Sequence, residues 1–193
     1  GRKKEDIKGL FLTHSHPDHI GSASKIKEIT GCKIYASKEE KVWIEDIDIQ
    51  YNNRPIPNFY NLVNKSVKID YVSQDGDIIK LEENLTLNVI DTGGHSLGDL
   101  SFLLKEDNVI FIGDAVPVLN EALIFYDINK SLNTLQKLKD LESIKYYYSA
   151  WDDIYKGMQG KKKIIKIYDI MFNLKQTAIK LKKNKNISKE DLF

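Results

Sequence analysis

The stretch that most constrains this chain is KGLFLTHSHPDHIG, residues 8–21, and within it His14, His16, Asp18 and His19. The apolar run from Gly9 to Leu12 reads as a short buried strand, and the Pro17–Asp18 step reads as a helix start. Four metal-competent side chains therefore sit on the turn between a strand end and a helix. Residues two apart in an extended stretch point the same way, so His14 and His16 can converge on one ion. Asp18 and His19 lie past the bend and suggest a second, adjacent position. Single histidines are often no more than hydrogen-bonded core or surface residues. Three of them with an aspartate in six positions fit that account poorly, because clustered imidazoles repel when protonated and cost desolvation when buried. Metal ligation removes both difficulties.

Two further motifs lie downstream: TGGHSLGD at 92–99 carries His95, and FIGDA at 111–115 carries Asp114. In order and rough spacing, these and THSHPDHIG resemble the third-histidine loop, the bridging-carboxylate turn and the HxHxDH signature of the metallo-β-lactamase-fold hydrolases. That superfamily includes glyoxalase II-type thioesterases (hydroxyacylglutathione hydrolases), lactamases, lactonases, tRNA-processing nucleases and flavodiiron proteins. The resemblance covers about residues 8–153. It implies an α/β fold of the four-layer αββα sandwich type, with two facing sheets, helices on both outer faces and active-site loops along one rim. It also implies a ligand set: His14, His16 and His95 on one divalent ion, Asp18 and His19 on a second, and Asp114 bridging them. Zinc is the expected metal, with iron or manganese as alternatives.

The family pattern ends on one more histidine near the C-terminal end of the domain, whereas the four histidines of this chain are 14, 16, 19 and 95. The equivalent place, after a strand and before the final helix, is SAWDD at 149–153. Trp151 offers a metal no free lone pair. Asp152 is therefore the expected replacement ligand, which makes the second site oxygen-rich and leans it toward iron or manganese. Without Asp152 the second site is weak, and a single ion is the alternative.

A chain of 193 residues, 41% apolar and 30% charged, has the composition of an ordinary globular protein able to bury a sizeable core. We read residues 1–193 as one metallo-β-lactamase-like domain. The formal net charge is +1 but uneven: residues 1–155 carry 18 basic and 25 acidic side chains, and residues 156–193 carry 11 and 3. No stretch approaches the roughly 18 consecutive apolar residues of a membrane span. The lone Cys32 rules out an internal disulfide and reads as inert, so the cytoplasm is the expected compartment. Proteins of this type place several strands ahead of HxHxDH, and only thirteen residues precede His14 here. The expectation is a fragment lacking those leading strands; the alternative is a sheet that ends early and leaves an edge to be covered.

Along the chain, Ile20, Ala23, Ile26 and Ile29 form a helical stripe over 18–30, with Gly31 as its C-terminal cap, and KIYAS at 33–37 reads as a strand. Residues 38–66 read as an insertion or lid over the site mouth, in which Trp43, Tyr51, Phe59 and Tyr60 either line a substrate pocket or pack a local core. From 67 the pattern turns to short strands: VKIDYV, a QDGD turn, IIKL, LTLNVID, LSFLL and NVIFIG, all assigned to the second sheet. Leu132, Leu135, Leu138 and Leu141 mark a helix over 129–142, and IKYYYS at 144–149 a strand. Residues 156–193 read as a basic C-terminal helix with an apolar stripe through Ile164, Ile167, Tyr168, Met171, Leu174, Ala178 and Leu181.

The functional expectation is a metal-dependent hydrolase with a metal-bound hydroxide as nucleophile, Asp18 orienting it as well as binding, and a thioester or other small ester as substrate. Two readings compete with it: an RNA-processing phosphodiesterase using the Lys-rich tail, and a degenerate metal-binding protein without activity. The near-neutral net charge disfavours nucleic acid. A small-molecule substrate and no membrane partner are expected, and a homodimer is left open.

Overall fold

The computed structural model describes residues 1–185. Strands β1 (Gly9–Phe11), β2 (Lys33–Ser37) and β3 (Tyr71–Ser73) form a parallel sheet in that order. Strands β4 (Ile78–Glu82), β5 (Leu85–Asp91), β6 (Leu100–Leu104), β7 (Val109–Gly113), β8 (Tyr146–Ser149) and β9 (Tyr155–Lys156) form a second sheet in chain order. It is antiparallel except where β7 runs parallel to β8. A parallel neighbour needs a crossover, and α6 (Ile128–Asp140) supplies it.

Alternation along the strands sets the layers. Ile34 and Ala36 of β2 are fully buried under α1 (Pro17–Ile20), α2 (Ala23–Thr30), α3 (Lys41–Glu45), α4 (Ile47–Asn53) and α5 (Phe59–Leu62), through Ile20, Ala23, Ile44, Ile47 and Phe59. Tyr35 lies between them in sequence and stacks on Phe11 and Tyr71, with ring centroids 4.5 and 4.8 Å apart. Phe11 meets Phe102 of β6 at 5.6 Å, joining the sheets through a layer that also holds Leu87, Val89 and Leu100. Beyond the second sheet, Ile110, Ile112 and Tyr147 pack on Leu135 and Leu138 of α6 and on Ile164, Ile167 and Met171 of α7 (Gly157–Lys185). The result is the expected four-layer αββα sandwich.

Several local expectations differ from what forms. VKIDYV does not enter the second sheet: only Tyr71–Ser73 is a strand, and it pairs with β2 in parallel, Tyr35 against Tyr71. Asp70 holds that register by accepting the Ile34 amide at 2.9 Å and binding Lys27 Nζ at 2.6 Å. The stripe over 18–30 splits into α1 and α2 near Gly21, where the chain passes so close to the Leu62 carbonyl that a Cβ would stand 2.0 Å from it. Gly31 caps α2 in the left-handed region, at φ 69°. Residues 38–66 contain α3, α4 and α5. Tyr51, Phe59 and Tyr60 pack on one another there, with centroids 5.1 to 5.3 Å apart.

Helix α7 begins at Gly157, and the last part of the 156–193 segment lies outside the described residues. Its stripe is buried at Ile164, Ile167 and Met171, then exposed at Leu174 and Leu181. Among the described residues no helix is long and apolar enough to cross a membrane.

Candidate metal centre

Three loops leave strand ends at the same rim of the sandwich. The first, Leu12–His16, runs from β1 into α1, with Pro17 at the first helical position, where its missing N–H costs nothing. His14 is fully buried and His16 nearly so, and both precede the helix, while Asp18 and His19 lie within it. The second loop joins β5 to β6 and bends at Gly94, whose φ of 143° suits glycine alone. A Cβ there would meet the Ser131 backbone at 2.5 Å. The third follows β7, where Gly113 at φ 49° abuts Thr13 and delivers Asp114 to the cluster. The two sheets are tied at this rim by the Leu100 amide, which donates to the Thr13 carbonyl at 2.9 Å.

The hydrogen bonds assign the histidine protons. His95 Nδ1 lies 3.1 Å from the Ile124 carbonyl, an acceptor only, so Nδ1 carries the proton and Nε2 the lone pair. His14 Nδ1 lies 3.1 Å from both Asp99 Oδ1 and Thr13 Oγ1, and a proton on it leaves Nε2 bare. Both Nε2 atoms then point at His16 Nδ1, from 3.0 Å (His14) and 2.9 Å (His95). One proton on His16 Nδ1 can serve only one of those two lone pairs. Burial holds His14 well below the ordinary histidine value, aided by its imidazole neighbours, and also lowers His95. Burial and the Arg54 charge push His16 down to about 3. All three rings are thus neutral near pH 7, and three converging nitrogens without enough protons between them suit a divalent cation.

Beside this group, Asp114 Oδ2 lies 3.4 Å from His95 Nε2 and 3.3 Å from His19 Nε2, while Asp18 Oδ2 is 3.4 Å from His19 Nε2. Asp114 therefore stands between the His14/His16/His95 nitrogens and the Asp18/His19 pair. Burial by itself would lower His19, but its bonds to Asp114 and Asp18 outweigh this and raise it to about 9. The bond to His19 in turn lowers Asp18. This half of the cluster favours positive charge, and Asp114 Oδ1 is buried there with no hydrogen-bond partner. The donor atoms suit a divalent cation and fall into two compact groups that share His14: His14, His16 and His95 form one, and His14, His19 and Asp114 the other, while Asp18 belongs to neither.

Asp152, the expected seventh ligand, belongs to neither group. Its carboxylate pairs with Lys163 Nζ and accepts the Tyr155 hydroxyl, while Lys163 also donates to Tyr155 Oη at 2.9 Å. The buried lysine of α7 competes for that carboxylate, and no spacing rule anticipates it. Trp151 instead faces the centre, its ring 6.4 Å from that of His19.

Reading the residues in order also missed Glu40, Asp99 and Arg54. Glu40 is buried and accepts from the Ser15 amide at 3.1 Å, the Gly98 amide at 2.7 Å and the hydroxyls of Ser15 and Ser96, so one carboxylate clamps the first loop to the second. Asp99 sits in the quoted TGGHSLGD motif beside a predicted ligand, a signal that was open to reading. Glu40 and Arg54 carry none.

The centre opens on a cavity of about 450 Å³ lined by His16, Asp18, His95, Asp114 and Trp151 among others. A second cavity, of about 300 Å³, shares His16, Arg54, His95 and Ile124 with it.

The family model of the metallo-beta-lactamase superfamily matches residues 1–149. A hydroxyacylglutathione hydrolase of Hyphomonas neptunium is 32% identical over 145 residues, 75% of this chain and 48% of the relative. Hydroxyacylglutathione hydrolase GloC of Haemophilus influenzae is 30% identical over 112 residues, 58% of this chain and 50% of the relative. The chain thus spans about half the length of these curated relatives. Among solved structures, an archaeal metallo-beta-lactamase superfamily protein from Sulfolobus tokodaii superposes with a TM-score of 0.70 at 18% identity, covering 86% of this chain and 68% of that one. A metallo-beta-lactamase family protein from Thermus thermophilus gives 0.68 at 19% identity, covering 88% and 62%. The chain belongs to the metallo-β-lactamase superfamily.

Proposed function

We propose that the protein is a metal-dependent hydrolase acting on a thioester or other small ester, with His14, His16 and His95 holding one divalent ion, Asp18 and His19 a second, and Asp114 shared. The observation that carries this reading is the convergence of His14 Nε2, His16 Nδ1 and His95 Nε2 beside Asp114 Oδ2, with His16, His95 and Asp114 lining one cavity. Zinc suits the imidazole-rich half, and iron or manganese also suits the carboxylate-bearing half. Divalent ions so placed bring a water's pKa toward neutrality and polarise a carbonyl.

The chain's own residues do the rest. Asp18 lines the cavity with a carboxylate kept ionised by His19, so it orients the attacking water and accepts its proton. The Ile124 carbonyl holds His95 in the tautomer that faces inward. Ile56, Leu62, Val116 and Trp151 wall the cavity with apolar surface that limits competing water. Relatives named for hydroxyacylglutathione hydrolysis, at about half-length coverage, support a thioester.

The test is a panel of thioester, lactone, lactam and phosphodiester substrates with zinc-loaded protein. Thioester turnover is expected, lost on chelation and restored by added zinc, with Asp114→Ala losing both metal and rate. Turnover that survives chelation, or a phosphodiester hydrolysed in preference to every thioester, would overturn the reading.

A further inference from the structure

We propose that Arg54 is the recognition point for a carboxylate carried by the substrate, seated where the two cavities meet. The proposal rests on the hydrolase reading for its substrate and on the structure for its place. Arg54 follows α4, its amide donating to the Gln50 carbonyl at 2.8 Å. Gln50 is fully buried and its Nε2 donates to the Ser15 carbonyl at 2.6 Å, inside the first ligand loop. The segment bearing Arg54 is therefore fastened to the metal centre itself.

Arg54 lines both cavities and is half-buried. Among the described residues its guanidinium forms no ion pair and donates no hydrogen bond. It lines both cavities together with His16 and His95. A fixed cation beside a cation site opposes metal binding through low-dielectric surroundings. An ordinary solvated arginine would not be expected to sit where it weakens the neighbouring site. A bound anion reconciles the two charges, and the planar fork of guanidinium matches a carboxylate with two parallel hydrogen bonds.

Two observations narrow the anion. Among the described residues Arg54 is the one lysine or arginine lining either cavity, and Glu121 in the first and Glu39 and Glu40 in the second add negative charge, so a singly charged anion is matched better than a dianionic phosphate. The second cavity is walled by Val42, Trp43, Leu97, Phe125 and Tyr126, which suits an apolar portion of the same molecule. The substrate class is thus a carboxylate-bearing acyl thioester or ester, with its cleavable carbonyl over the histidine cluster.

The test pairs the succinyl and succinamoyl thioesters of N-acetylcysteamine, which match in length and differ in charge, on zinc-loaded protein. The wild type is expected to favour succinyl in kcat/KM. In Arg54→Met the succinyl-to-succinamoyl ratio falls about tenfold to a hundredfold, mostly through KM, and Arg54→Lys restores part of it. A ratio unchanged in Arg54→Met, or lost equally for both substrates, overturns the assignment.

Calorimetry with monomethyl succinate gives a readout independent of turnover, because carboxylate bound directly to metal is common to both proteins. Should neither thioester be hydrolysed, the thioesterase reading fails by itself. Arg54 then stands if Arg54→Met weakens monomethyl succinate binding tenfold or more, and falls if binding is equal or absent in the wild type. Inorganic phosphate binding more tightly than monomethyl succinate in an Arg54-dependent way overturns the carboxylate assignment.

Discussion

The second half of the centre shows how one side chain's partner decides its role. Lys163 is 8% exposed and its ammonium faces Asp152 and the Tyr155 hydroxyl, so the carboxylate at 152 neutralises a buried charge. Breaking such a pair strands the remaining ion, which costs more than the intact pair ever contributes. Asp152→Asn is expected to lower stability by about 3 kcal/mol, read as a fall in Tm, while metal stoichiometry by elemental analysis stays unchanged. Lys163→Met in the Asp152→Asn background recovers most of the loss, since no charge is then left buried. Metal content falling with Asp152→Asn alone would return Asp152 to the ligand set. The other candidate donors were legible residue by residue because metal affinity is a property of side-chain type. The partner of Asp152 was not: a carboxylate at that position looks like a ligand until the lysine beside it is known.

At the level of elements, the first sheet depends on Asp70, which ties α2 to β2 and ends the segment leading into β3. It binds Lys27 Nζ at 2.6 Å, accepts the Ile34 amide at 2.9 Å and reaches Lys33 Nζ at 3.4 Å. These contacts, Lys27 first, hold its carboxyl at about 2, below the ordinary value of 3.8. A carboxyl depressed in the folded state stabilises above its unfolded pKa, and that contribution is lost as pH falls through the folded value. The Tm of the wild type should therefore exceed that of Asp70→Asn above about pH 5, with the gap closing toward pH 2. Solvent screening keeps the effect on the order of 1 kcal/mol. A gap that stays constant over that range would assign the loss to packing instead. Strand periodicity marked the segment around Tyr71 but not its sheet, because alternation says which face is buried and not which neighbour supplies the hydrogen bonds.

Across the whole molecule, the proposed ligands come from both sheets: His14, His16, Asp18 and His19 follow β1, and His95 and Asp114 follow β5 and β7. Bound metal would then cross-link the two halves at one rim, adding to the Glu40 clamp and to the Leu100–Thr13 hydrogen bond. Chelation is expected to lower Tm reversibly. Free zinc at a hundred times its Kd adds about 2.7 kcal/mol over the metal-free protein. Calorimetric scans with and without chelator measure this, and superimposable transitions would mean that the centre binds no metal under those conditions.

The sequence by itself determined the order of the motifs that carry the proposed donors, the α/β alternation, the helix over the 130s and the superfamily. Each of these is written in residue type or in short-range periodicity. Tertiary structure alone decided that β3 joins the first sheet, that Asp152 turns to Lys163, that Glu40 reaches Ser96 and Gly98 from 56 and 58 positions away, and that Arg54 lines the same cavities as His16 and His95. Those outcomes depend on which distant groups compete for one charge or one backbone donor, and that competition is settled only when the two sheets close on each other.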